Sequence, residues 1–299
     1  IGLSDAILTH KPVGKPVYEV VRSIPDHTSG ISLILDALVD PEYGVLESIS
    51  EIAAVGHRVA HGGEYFKDSA LVDKSVKQKI EACFDLAPLH NPANLKGILA
   101  MENILPNTPQ VAVFDTSFHQ TMPEKAYMFA VPYAYYEKYG VRRYGFHGTS
   151  HRFVSQRCCE LLGKPDGKGT RIITCHLGNG SSIAAVKDGK VIDTTMGLTP
   201  LDGLIMGTRC GTIDPSVVLF LMEKEGLSAK EMDEILNKKS GMLGVSGVSS
   251  DDRDIQAAKE AGNTRAAMVL DMRTYEIIKF IGGYVAALGG VDAIVFTAG

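Results

Sequence analysis

Five side chains of types that catalyse reactions or bind ligands lie at strand ends, helix starts or glycine-rich loops of this sequence. They are Arg58, His90, Asp115, His147 and Arg209. Arginine stays charged and offers a planar fork of donors that fits a carboxylate or a phosphate, and histidine donates hydrogen bonds and exchanges protons near neutral pH. Structural roles account for the same residues: a salt bridge for Arg58, a satisfied loop position for either histidine and a helix cap for Asp115. Considered together, the two arginines and two histidines predict a site for a carboxylate or a phosphate.

The stretch over residues 171–216 is the predicted centre of that site. It indicates strands at 172–177, 182–186 and 191–195, joined by the dipeptides Asn179-Gly180 and Asp188-Gly189, which favour two-residue hairpin turns. A glycine turn with Ser181 and Ser182 beside it presents backbone N–H groups and hydroxyls that suit a bound phosphate. A plain antiparallel meander accounts for the same pattern. Arg209 follows in a long loop interrupted by glycines.

Two of the candidate side chains are predicted at the ends of strands. Residues 56–63 indicate a buried strand that runs into a loop with Arg58, where a glycine pair stops its continuation. Gln110 to Phe114 form an apolar strand with Asp115 at its carboxyl end. Because ligands of open α/β sheets bind beyond the carboxyl ends of the strands, Asp115 is a better functional candidate than an acid on a helix face.

The two histidines are predicted at helix entrances. Asn91 as N-cap, followed by a proline, starts a helix that leaves His90 just outside it. Thr149 or Ser150 can cap a helix over residues 150–162, which places His147 in the glycine-flanked turn before it. Either histidine therefore has the access that contact with a ligand requires.

The remaining elements alternate between helices and strands. Further helices are predicted over residues 28–39, 73–85, 215–225, 229–238 and 264–288, with a buried strand within residues 291–299. Residues 127–139 indicate an irregular aromatic segment, and residues 239–254 a glycine- and serine-rich loop. The pattern predicts an α/β protein.

Length and composition limit the class of protein. At roughly 150 residues a domain, 299 residues suggest two domains. With 45% hydrophobic and 22% charged residues, and no apolar run of about 18 residues, the composition is globular without a membrane span. The net charge of −5 and the scattered basic residues argue against nucleic acid. The chain start lacks a secretory signal pattern, and five cysteines without a CxxC pair indicate a reducing compartment and no zinc site.

Seven motifs spread over the whole chain closely resemble those of the acetate kinase family. They are HRVAHGG at 57–63, APLHNP at 87–92, VFDTSFHQTMP at 113–123, YGFHGTSHRFV at 144–154, CHLGNGSS at 175–182, TTMGLTPLDGLIMGTRCGTIDP at 194–215 and GGVDAIVFTAG at 289–299. Several of them are long, and their order is that of the family. The resemblance is therefore specific.

The resemblance implies a fold and an activity. The family belongs to the actin, hexokinase and sugar-kinase superfamily, so we expect an α/β fold of two duplicated ribonuclease-H-like (actin-like ATPase) domains around a nucleotide cleft. Residues 1–116 would form an N-terminal acyl-substrate domain and residues 117–299 a nucleotide-binding domain. The implied reaction is reversible phosphoryl transfer from ATP to acetate, giving acetyl phosphate and ADP, with Mg²⁺ as cofactor. The implied protein is a cytoplasmic homodimer that binds small molecules, and neither nucleic acid nor membranes.

The resemblance also implies roles for individual residues. Arg58 and Arg209 match the arginines that hold acetate and the transferring phosphoryl group, His147 matches the histidine that donates to that group, and Asp115 matches an aspartate near magnesium and substrate. These four are the expected catalytic set. The expected substrate-binding set is Arg58, Ala60, His90 and Phe146. The expected nucleotide-binding set is His176, Asn179, Gly180, Ser181, Phe296, Thr297, Ala298 and Gly299.

The chain departs from the family pattern at both ends. The family's N-terminal Asn-Gly-Ser-Ser-Ser phosphate turn has no counterpart in residues 1–12, and the glutamate that helps to hold Mg²⁺ would lie beyond Gly299. We therefore expect both chain ends to be incomplete, with the first strands and a C-terminal segment missing. No metal ligand is expected within the chain itself.

Substrate size depends on Ala60. The resemblance places this residue against the methyl group of acetate, where family members often carry valine. The smaller side chain leaves room for one or two more carbons, and apolar pockets discriminate by only about 1–3 kcal/mol per methylene. Propionate is therefore an alternative substrate. A sugar kinase or a non-catalytic ATP-binding module of the same superfamily is a further alternative, although nothing in the sequence indicates a polyol site or a peptide-binding domain.

Overall fold

The computed structural model describes residues 3–298, and its internal contacts divide the chain into two compact units, Ile1–Phe114 and Asp115–Gly299. Helices and strands alternate in both units, which confirms the α/β class. The predicted domain roles, with their division after residue 116, remain predictions. No helix within residues 3–298 combines the length and the apolar character that crossing a membrane requires.

Over its described residues, 3–114, the first unit contains two small sheets and three α-helices. Strands β1 (Leu3–His10) and β2 (Tyr18–Ile24) form an antiparallel hairpin, followed by α1 (His27–Leu38). Strands β3 (Val55–Val59), β4 (Ala70–Leu71) and β5 (Gln110–Phe114) form a sheet of order β3-β5-β4, with β3 parallel to β5. Helices α2 (Lys74–Ala82) and α3 (Asn91–Ile104) pack on that sheet. Phe66 and Phe114 stack in its core at a ring-centroid distance of 4.0 Å.

The second unit is built around one mixed sheet. Its strands are β6 (Arg171–Leu177), β7 (Ser181–Lys187), β8 (Lys190–Thr194) and β9 (Ala293–Thr297), in the order β8-β7-β6-β9. The first three are antiparallel neighbours and β9 is parallel to β6. Six of the seven residues of β7 are buried, because both faces of the sheet are covered.

Helices cover both faces of this sheet. The elements that precede β6 are α4 (Glu124–Tyr127), α5 (Ala134–Tyr139) and α6 (Gly148–Leu161). Those between β8 and β9 are α7 (Pro215–Glu225), α8 (Ala229–Lys238), α9 (Gly241–Ser246), α10 (Asp252–Glu260) and α11 (Thr264–Leu288). Cys159 of α6 packs on one face with Ile172, while Tyr284 and Leu288 of α11 pack on the other with Ile173.

The two tight turns of the meander differ from each other. Asp188 and Gly189 have φ angles of 52° and 74° and form the predicted two-residue turn. The prediction for Asn179-Gly180 was wrong, because Leu177 pairs with Ser181 and leaves a three-residue loop. Neither residue of that dipeptide has the left-handed φ that a primed turn requires. Instead the Ser181 hydroxyl donates to the Gly178 carbonyl at 2.8 Å and closes the loop.

Two predicted helix caps were also wrong. Asn91 is the first residue of α3 rather than its cap, because its amide bonds to both the N–H and the C=O of His61, at 3.0 and 2.9 Å. Neither Thr149 nor Ser150 caps α6, which begins earlier at Gly148. The Gly148 N–H donates instead to the Asp115 carbonyl at 2.9 Å. In both cases a long-range contact replaces the local cap.

Short helices occur where irregular segments were predicted. The aromatic segment contains α5, and the glycine- and serine-rich loop contains α9. The N–H groups of Met242 and Leu243 in α9 donate to the carbonyls of Met206 and Gly207, at 2.8 and 2.9 Å. Tertiary hydrogen bonds therefore override the weak helix propensity of this sequence.

Candidate active site

The loop of Gly178, Asn179 and Gly180 (the glycine loop) is the structural centre of the second unit's candidate site. It joins β6 to β7 and is tied to the following loop through the Gly207 N–H, which donates to the Asn179 carbonyl at 3.1 Å. A β-carbon on Gly207 would collide with the Asn179 side-chain oxygen. Glycine at 207 thus allows the two loops to approach closely.

A cavity of about 400 Å³ opens beside the glycine loop, entirely within the second unit. Its walls combine an apolar part, a glycine-rich part and a charged rim. The lining residues are Leu177, Gly178, Asn179, Ser181, Met206, Gly207, Met242, Ser250, Asp251, Asp252, Arg253, Arg273 and Ala298. This volume and this mixture of surfaces are typical of small-molecule sites.

The charged rim of the cavity consists of two ion pairs. Arg253 binds Asp251 with a shortest distance of 2.6 Å, and this side-chain hydrogen bond is the main reason that the pKa of Asp251 falls to about 2. Arg273 of α11 binds both carboxylate oxygens of Asp252, at 2.6 and 2.7 Å. Because each acid is paired, the rim presents donors and acceptors without a large net charge.

Arg209 is a half-buried cation next to the glycine loop. Its Nη1 donates to the Pro200 carbonyl at 3.3 Å and lies 3.7 Å from the Met206 sulfur, and it forms no ion pair within residues 3–298. Burial lowers the pKa of its guanidinium. Arginine nevertheless stays charged at neutral pH, so this position carries a positive charge that an anionic ligand can neutralise.

His147 lies at the start of α6 in a left-handed conformation, with φ of 58°. Its ring stacks on His176 at a centroid distance of 4.1 Å, and its Nδ1 lies 2.8 Å from the Ser182 hydroxyl. A β-carbon built on Gly180 would lie 3.3 Å from His147 Nε2 and 3.5 Å from Arg209 Nη1. The glycine loop therefore brings two predicted catalytic side chains to one point.

The His119 side chain stabilises the turn that holds His147. His119 Nε2 donates to the Phe146 carbonyl at 2.8 Å, and burial lowers the pKa of His119 to about 4. Within residues 3–298, its Nδ1 is buried without a hydrogen-bond partner. A β-carbon on Gly145 would collide with the His119 ring and with Thr194, so only glycine, here at a φ of 75°, fits this turn. The neutral imidazole of His119 thus has a structural role in this turn.

The predicted substrate residue Phe146 is fully buried. It packs with Met196 and Met206 in a small core cluster. Arg143, in the same segment, donates to the Thr195 carbonyl at 2.7 Å and pairs with Asp202 at 3.2 Å. These residues anchor the segment before His147 to the loop after β8.

Asp115 is buried at the start of the second unit. Its side chain is 3% exposed, and its carbonyl accepts the Gly148 N–H that begins α6. A β-carbon on Gly148 would collide with that carbonyl. Asp115 therefore fixes the start of the helix that carries His147.

The predicted nucleotide residues lie on neighbouring strands. His176 of β6 pairs with Thr297 of β9, and its Nδ1 lies 2.8 Å from the Ser150 hydroxyl. Ala298 has a φ of 66° and lines the cavity, whereas Phe296 is 63% exposed. Gly299 lies outside the described residues. Within the predicted set, Asn179, Ser181 and Ala298 reach the cavity.

The first unit holds the other predicted residues around one loop. Arg58 is exposed near the end of β3, and Ala60 is buried immediately after it. The Ala60 N–H donates to the Asn94 side chain at 3.0 Å, and Asn91 clamps the backbone of the next residue. His90 is the N-cap residue of α3, one position before Asn91. The first turn of α3 thus positions the loop that carries Ala60.

Several cavity residues were missed by the sequence reasoning. The SSDDRD run at 249–254 was predicted only as part of a glycine- and serine-rich loop, although its alternation of acids and arginine could have indicated a ligand site. Arg273 gave no signal, because it is one arginine on a long helix and reaches the rim only through the packing of α11. Within residues 3–298, no cluster of three His, Cys, Asp or Glu side chains could hold a metal ion.

Comparison with known proteins places this geometry in a family. The chain matches the model of the Acetokinase family over residues 1–299. Acetate kinase from Phocaeicola vulgatus is 65% identical over 278 residues, which are 93% of this chain and 70% of that protein. Acetate kinase from Desulfitobacterium hafniense is 57% identical over 299 residues, which are 100% of this chain and 75% of that protein.

Solved structures agree with these sequence relatives. The crystal structure of Porphyromonas gingivalis acetate kinase matches with a TM-score of 0.93 and 53% identity, covering 100% of this chain and 75% of that one. The structure of a propionate kinase from Francisella tularensis matches with a TM-score of 0.88 and 40% identity, covering 98% and 76% of the two chains. The chain thus has the fold of these kinases, consistent with actin-like ATPase-type domains.

Proposed function

Because the chain belongs to the acetokinase family, we propose that it catalyses the reversible transfer of the γ-phosphoryl group of ATP to acetate. A carboxylate oxygen of acetate forms the new bond to phosphorus while the bond from phosphorus to the ADP oxygen breaks. The products are acetyl phosphate and ADP. No net proton transfer is required when both carboxylate and phosphates are ionised.

The observation that carries this proposal is the position of the glycine loop. Through Gly178 and Asn179 it lines the cavity, and at Gly180 it meets His147 Nε2 and Arg209 Nη1. A nucleotide whose adenosine occupies the cavity would therefore extend its phosphates along the loop toward two donors. Phosphoryl transfer depends almost entirely on such positioning and charge stabilisation.

We assign the cavity to the adenosine moiety. Met206 and Met242 supply apolar surface for the base, and the Asp251–Arg253 and Asp252–Arg273 pairs supply polar groups at the rim. Arg209 and His147 stabilise the negative charge that spreads over the equatorial oxygens of the transferring group. Their fixed positions matter because preorganised donors need no rearrangement during the reaction.

Arg58, Ala60 and His90 of the first unit are proposed to bind the carboxylic acid. Support comes from the exposure of Arg58 near the end of β3, and from the hydrogen bonds by which Asn94 and Asn91 of α3 hold the backbone of the two residues after the strand. Phe146 is proposed to act through packing, since it is fully buried.

Mg²⁺ is proposed to accompany ATP. Protein-bound Mg²⁺ usually keeps only one or two carboxylate ligands besides substrate phosphates. Asp115, the aspartate that the resemblance places near the ion, would lie close to it without being an expected ligand. When bound, the ion neutralises phosphate charge. The family resemblance also leads us to propose a cytoplasmic homodimer. The five unpaired cysteines support the reducing compartment, and sedimentation velocity tests the dimer.

Propionate is a second candidate substrate. Two observations favour it, the small Ala60 side chain at the proposed acid site and the likeness to the Francisella tularensis propionate kinase. We expect Ala60→Val to lower kcat/KM for propionate by about 10- to 100-fold relative to acetate, because the added methyl groups fill the space for the extra carbon. An unchanged ratio of the two kcat/KM values in the variant contradicts this role for Ala60.

A hydroxamate-trapping assay on the full-length protein tests the main proposal. Purified protein is incubated with ATP, Mg²⁺ and hydroxylamine together with acetate, propionate, butyrate or glucose. We expect acetyl hydroxamate with ADP formed in equal amount. Absence of acyl hydroxamate from every acid contradicts the proposed function, and ATP consumption with glucose alone would support a sugar kinase instead.

A further inference from the structure

Four hydrogen-bonding side chains form a continuous line from the core of the second unit to the glycine loop. Thr174 Oγ1 lies 2.7 Å from His151 Nδ1, His151 Nε2 lies 2.8 Å from Ser182 Oγ, and Ser182 Oγ lies 2.8 Å from His147 Nδ1. Thr174, His151 and Ser182 have no exposed surface. None of these three has a part in the function proposed above.

Counting the protons shows which atom donates and which accepts in each hydrogen bond of this line. Thr174 is completely buried, and His151 Nδ1 is the one hydrogen-bond partner of its hydroxyl within residues 3–298. If Nδ1 carried a proton, Thr174 would only accept, and its own proton would be buried without an acceptor, which costs free energy. Thr174 therefore donates to Nδ1, and the single proton of the His151 ring lies on Nε2.

The charge state of His151 agrees with this assignment. Burial, together with the nearby rings of His119, His147 and His176, lowers the pKa of His151 well below its ordinary value. The ring is therefore neutral at pH 7 and carries one proton. A neutral imidazole has one donor and one acceptor nitrogen, as the line requires.

The same assignment of donors and acceptors extends through Ser182 to His147. The His151 Nε2–H donates to Ser182 Oγ, so the single Ser182 proton points to His147 Nδ1. His147 then keeps its proton on Nε2. That atom faces Gly180 near Arg209 Nη1, where the phosphoryl group is proposed to pass.

We propose that Thr174, His151 and Ser182 are positioning residues that hold His147 in the tautomer that donates from Nε2 to the transferring phosphoryl group. The proposal rests on the phosphoryl-transfer function given above. It makes neutral His147 a donor without prior proton uptake. Outer partners commonly fix the tautomer of a functional histidine in this way, and loss of the correct tautomer in a serine protease triad costs about 10⁴-fold in kcat.

Nitrogen NMR tests the tautomers independently of activity. Long-range ¹H–¹⁵N spectra of the full-length protein, labelled with ¹⁵N-histidine and free of nucleotide, distinguish protonated from bare ring nitrogens. Single His→Gln variants assign the signals. We expect His147 and His151 each to carry a proton on Nε2 and none on Nδ1. A proton on Nδ1 of either neutral ring overturns the proposal.

Two substitutions of Thr174 test the link to catalysis. Thr174→Val keeps the shape but removes the hydroxyl, and Thr174→Ser keeps the hydroxyl. We expect Thr174→Val to lower kcat about tenfold, with the KM values for acetate and ATP unchanged, and to mix the His147 tautomers. Thr174→Ser should restore wild-type kcat and the wild-type spectrum.

The outcomes separate the two proposals. Wild-type kcat in a folded Thr174→Val protein overturns the positioning role, whatever the spectrum shows. If Thr174→Val does not fold, a Thr174→Ser protein with an altered His147 tautomer or a tenfold lower kcat overturns it. Failure of the proposed function instead appears as wild-type protein that forms no acetyl phosphate although both rings show the Nε2–H form.

Discussion

Arg209 is the residue whose position most constrains the chemistry. It is half-buried, it lacks a carboxylate partner within residues 3–298, and its Nη1 faces the glycine loop. Burying a charge without a partner is unfavourable. The buried Arg209 charge therefore destabilises the folded protein, and an anionic ligand can offset this effect. Arg253 and Arg273 differ from it because each is already paired with an aspartate.

We expect Arg209→Lys to lower kcat by about 10² to 10³-fold, in the range for loss of one preorganised donor to a transition-state oxyanion. Lysine keeps the charge but lacks the planar fork of donors. Steady-state kinetics of acetyl phosphate formation measure the effect. Arg157→Lys is the matched control, because Arg157 forms an exposed pair with Glu160 and should change kcat by less than about twofold. Equal activity of the two variants would contradict the role of Arg209.

His119 makes the stability of the second unit depend on pH. Burial lowers its folded-state pKa from 6.5 to about 4, so between these values the unfolded chain binds more protons than the folded one. Stability is therefore complete above pH 6.5 and falls as the pH decreases toward 4. Since a shift of one pKa unit corresponds to 1.36 kcal/mol, acidification from pH 7 to 5 lowers the free energy of unfolding by about 2 kcal/mol through His119.

Urea unfolding at pH 7, 6 and 5, followed by circular dichroism, checks this expectation. His119→Gln keeps a donor for the Phe146 carbonyl but cannot be protonated, so its stability should decline less steeply over the same range. Equal declines of wild type and variant would show that His119 does not cause the pH dependence.

At the scale of elements, the start of α6 connects packing to the site. Its first N–H is held by the Asp115 carbonyl, and the residue before it, His147, takes a left-handed φ. A β-carbon at Gly148 has no room against that carbonyl. The helix start and the His147 ring are thus fixed by the same contact.

Gly148→Ala should therefore destabilise the protein by about 1–3 kcal/mol, as overpacking usually does, and lower kcat because His147 is displaced. The control is Gly97→Ala in α3, where a β-carbon meets nothing within 4 Å. That substitution should stabilise the protein by roughly 0.5–1 kcal/mol. Thermal unfolding and kinetics of both variants provide the test, and a Gly148→Ala protein as stable and active as wild type would refute the steric argument.

Elements with strong local signals could be predicted from the sequence, and those made by tertiary contacts could not. The helices predicted over residues 215–225 and 229–238 match α7 and α8, whose starts carry an Asp214 cap before Pro215 and the Ser228–Glu231 capping box. The start of α6, the side-chain use of Asn91 and helix α9 depend on partners far along the chain. Their bonds leave no periodic or capping pattern in the sequence.

The same distinction applies to the candidate site. Arg209, His147 and Gly180 were named from motifs, and the structure of the second unit brings them together. The rim position of Arg273 and the hydrogen-bond line Thr174–His151–Ser182 were not predicted, because these residues belong to helices and strands whose packing alone makes them neighbours. The roles of all of these residues remain proposals.

At the scale of the whole molecule, the two units divide the proposed tasks. The proposed nucleotide residues all belong to the second unit, and the proposed residues for the carboxylic acid, Arg58, Ala60 and His90, to the first. A ligand that binds only the folded form stabilises it by about 2.7 kcal/mol at 100 times its Kd. Binding should therefore protect backbone amides where each ligand is proposed to lie.

Hydrogen exchange with mass spectrometry tests this division with partial ligands. We expect adenosine to slow exchange in residues 242–253, which supply the apolar and charged cavity walls, and ADP to slow it also in residues 177–182, because its phosphates follow the glycine loop. Tripolyphosphate alone should slow exchange only in residues 177–182. Residues 58–63 and 90–94 should be unaffected by any of the three. Equal protection patterns for adenosine and ADP would contradict the assignment of the glycine loop to the phosphates, and ADP protection confined to the first unit would contradict the assignment of the cavity.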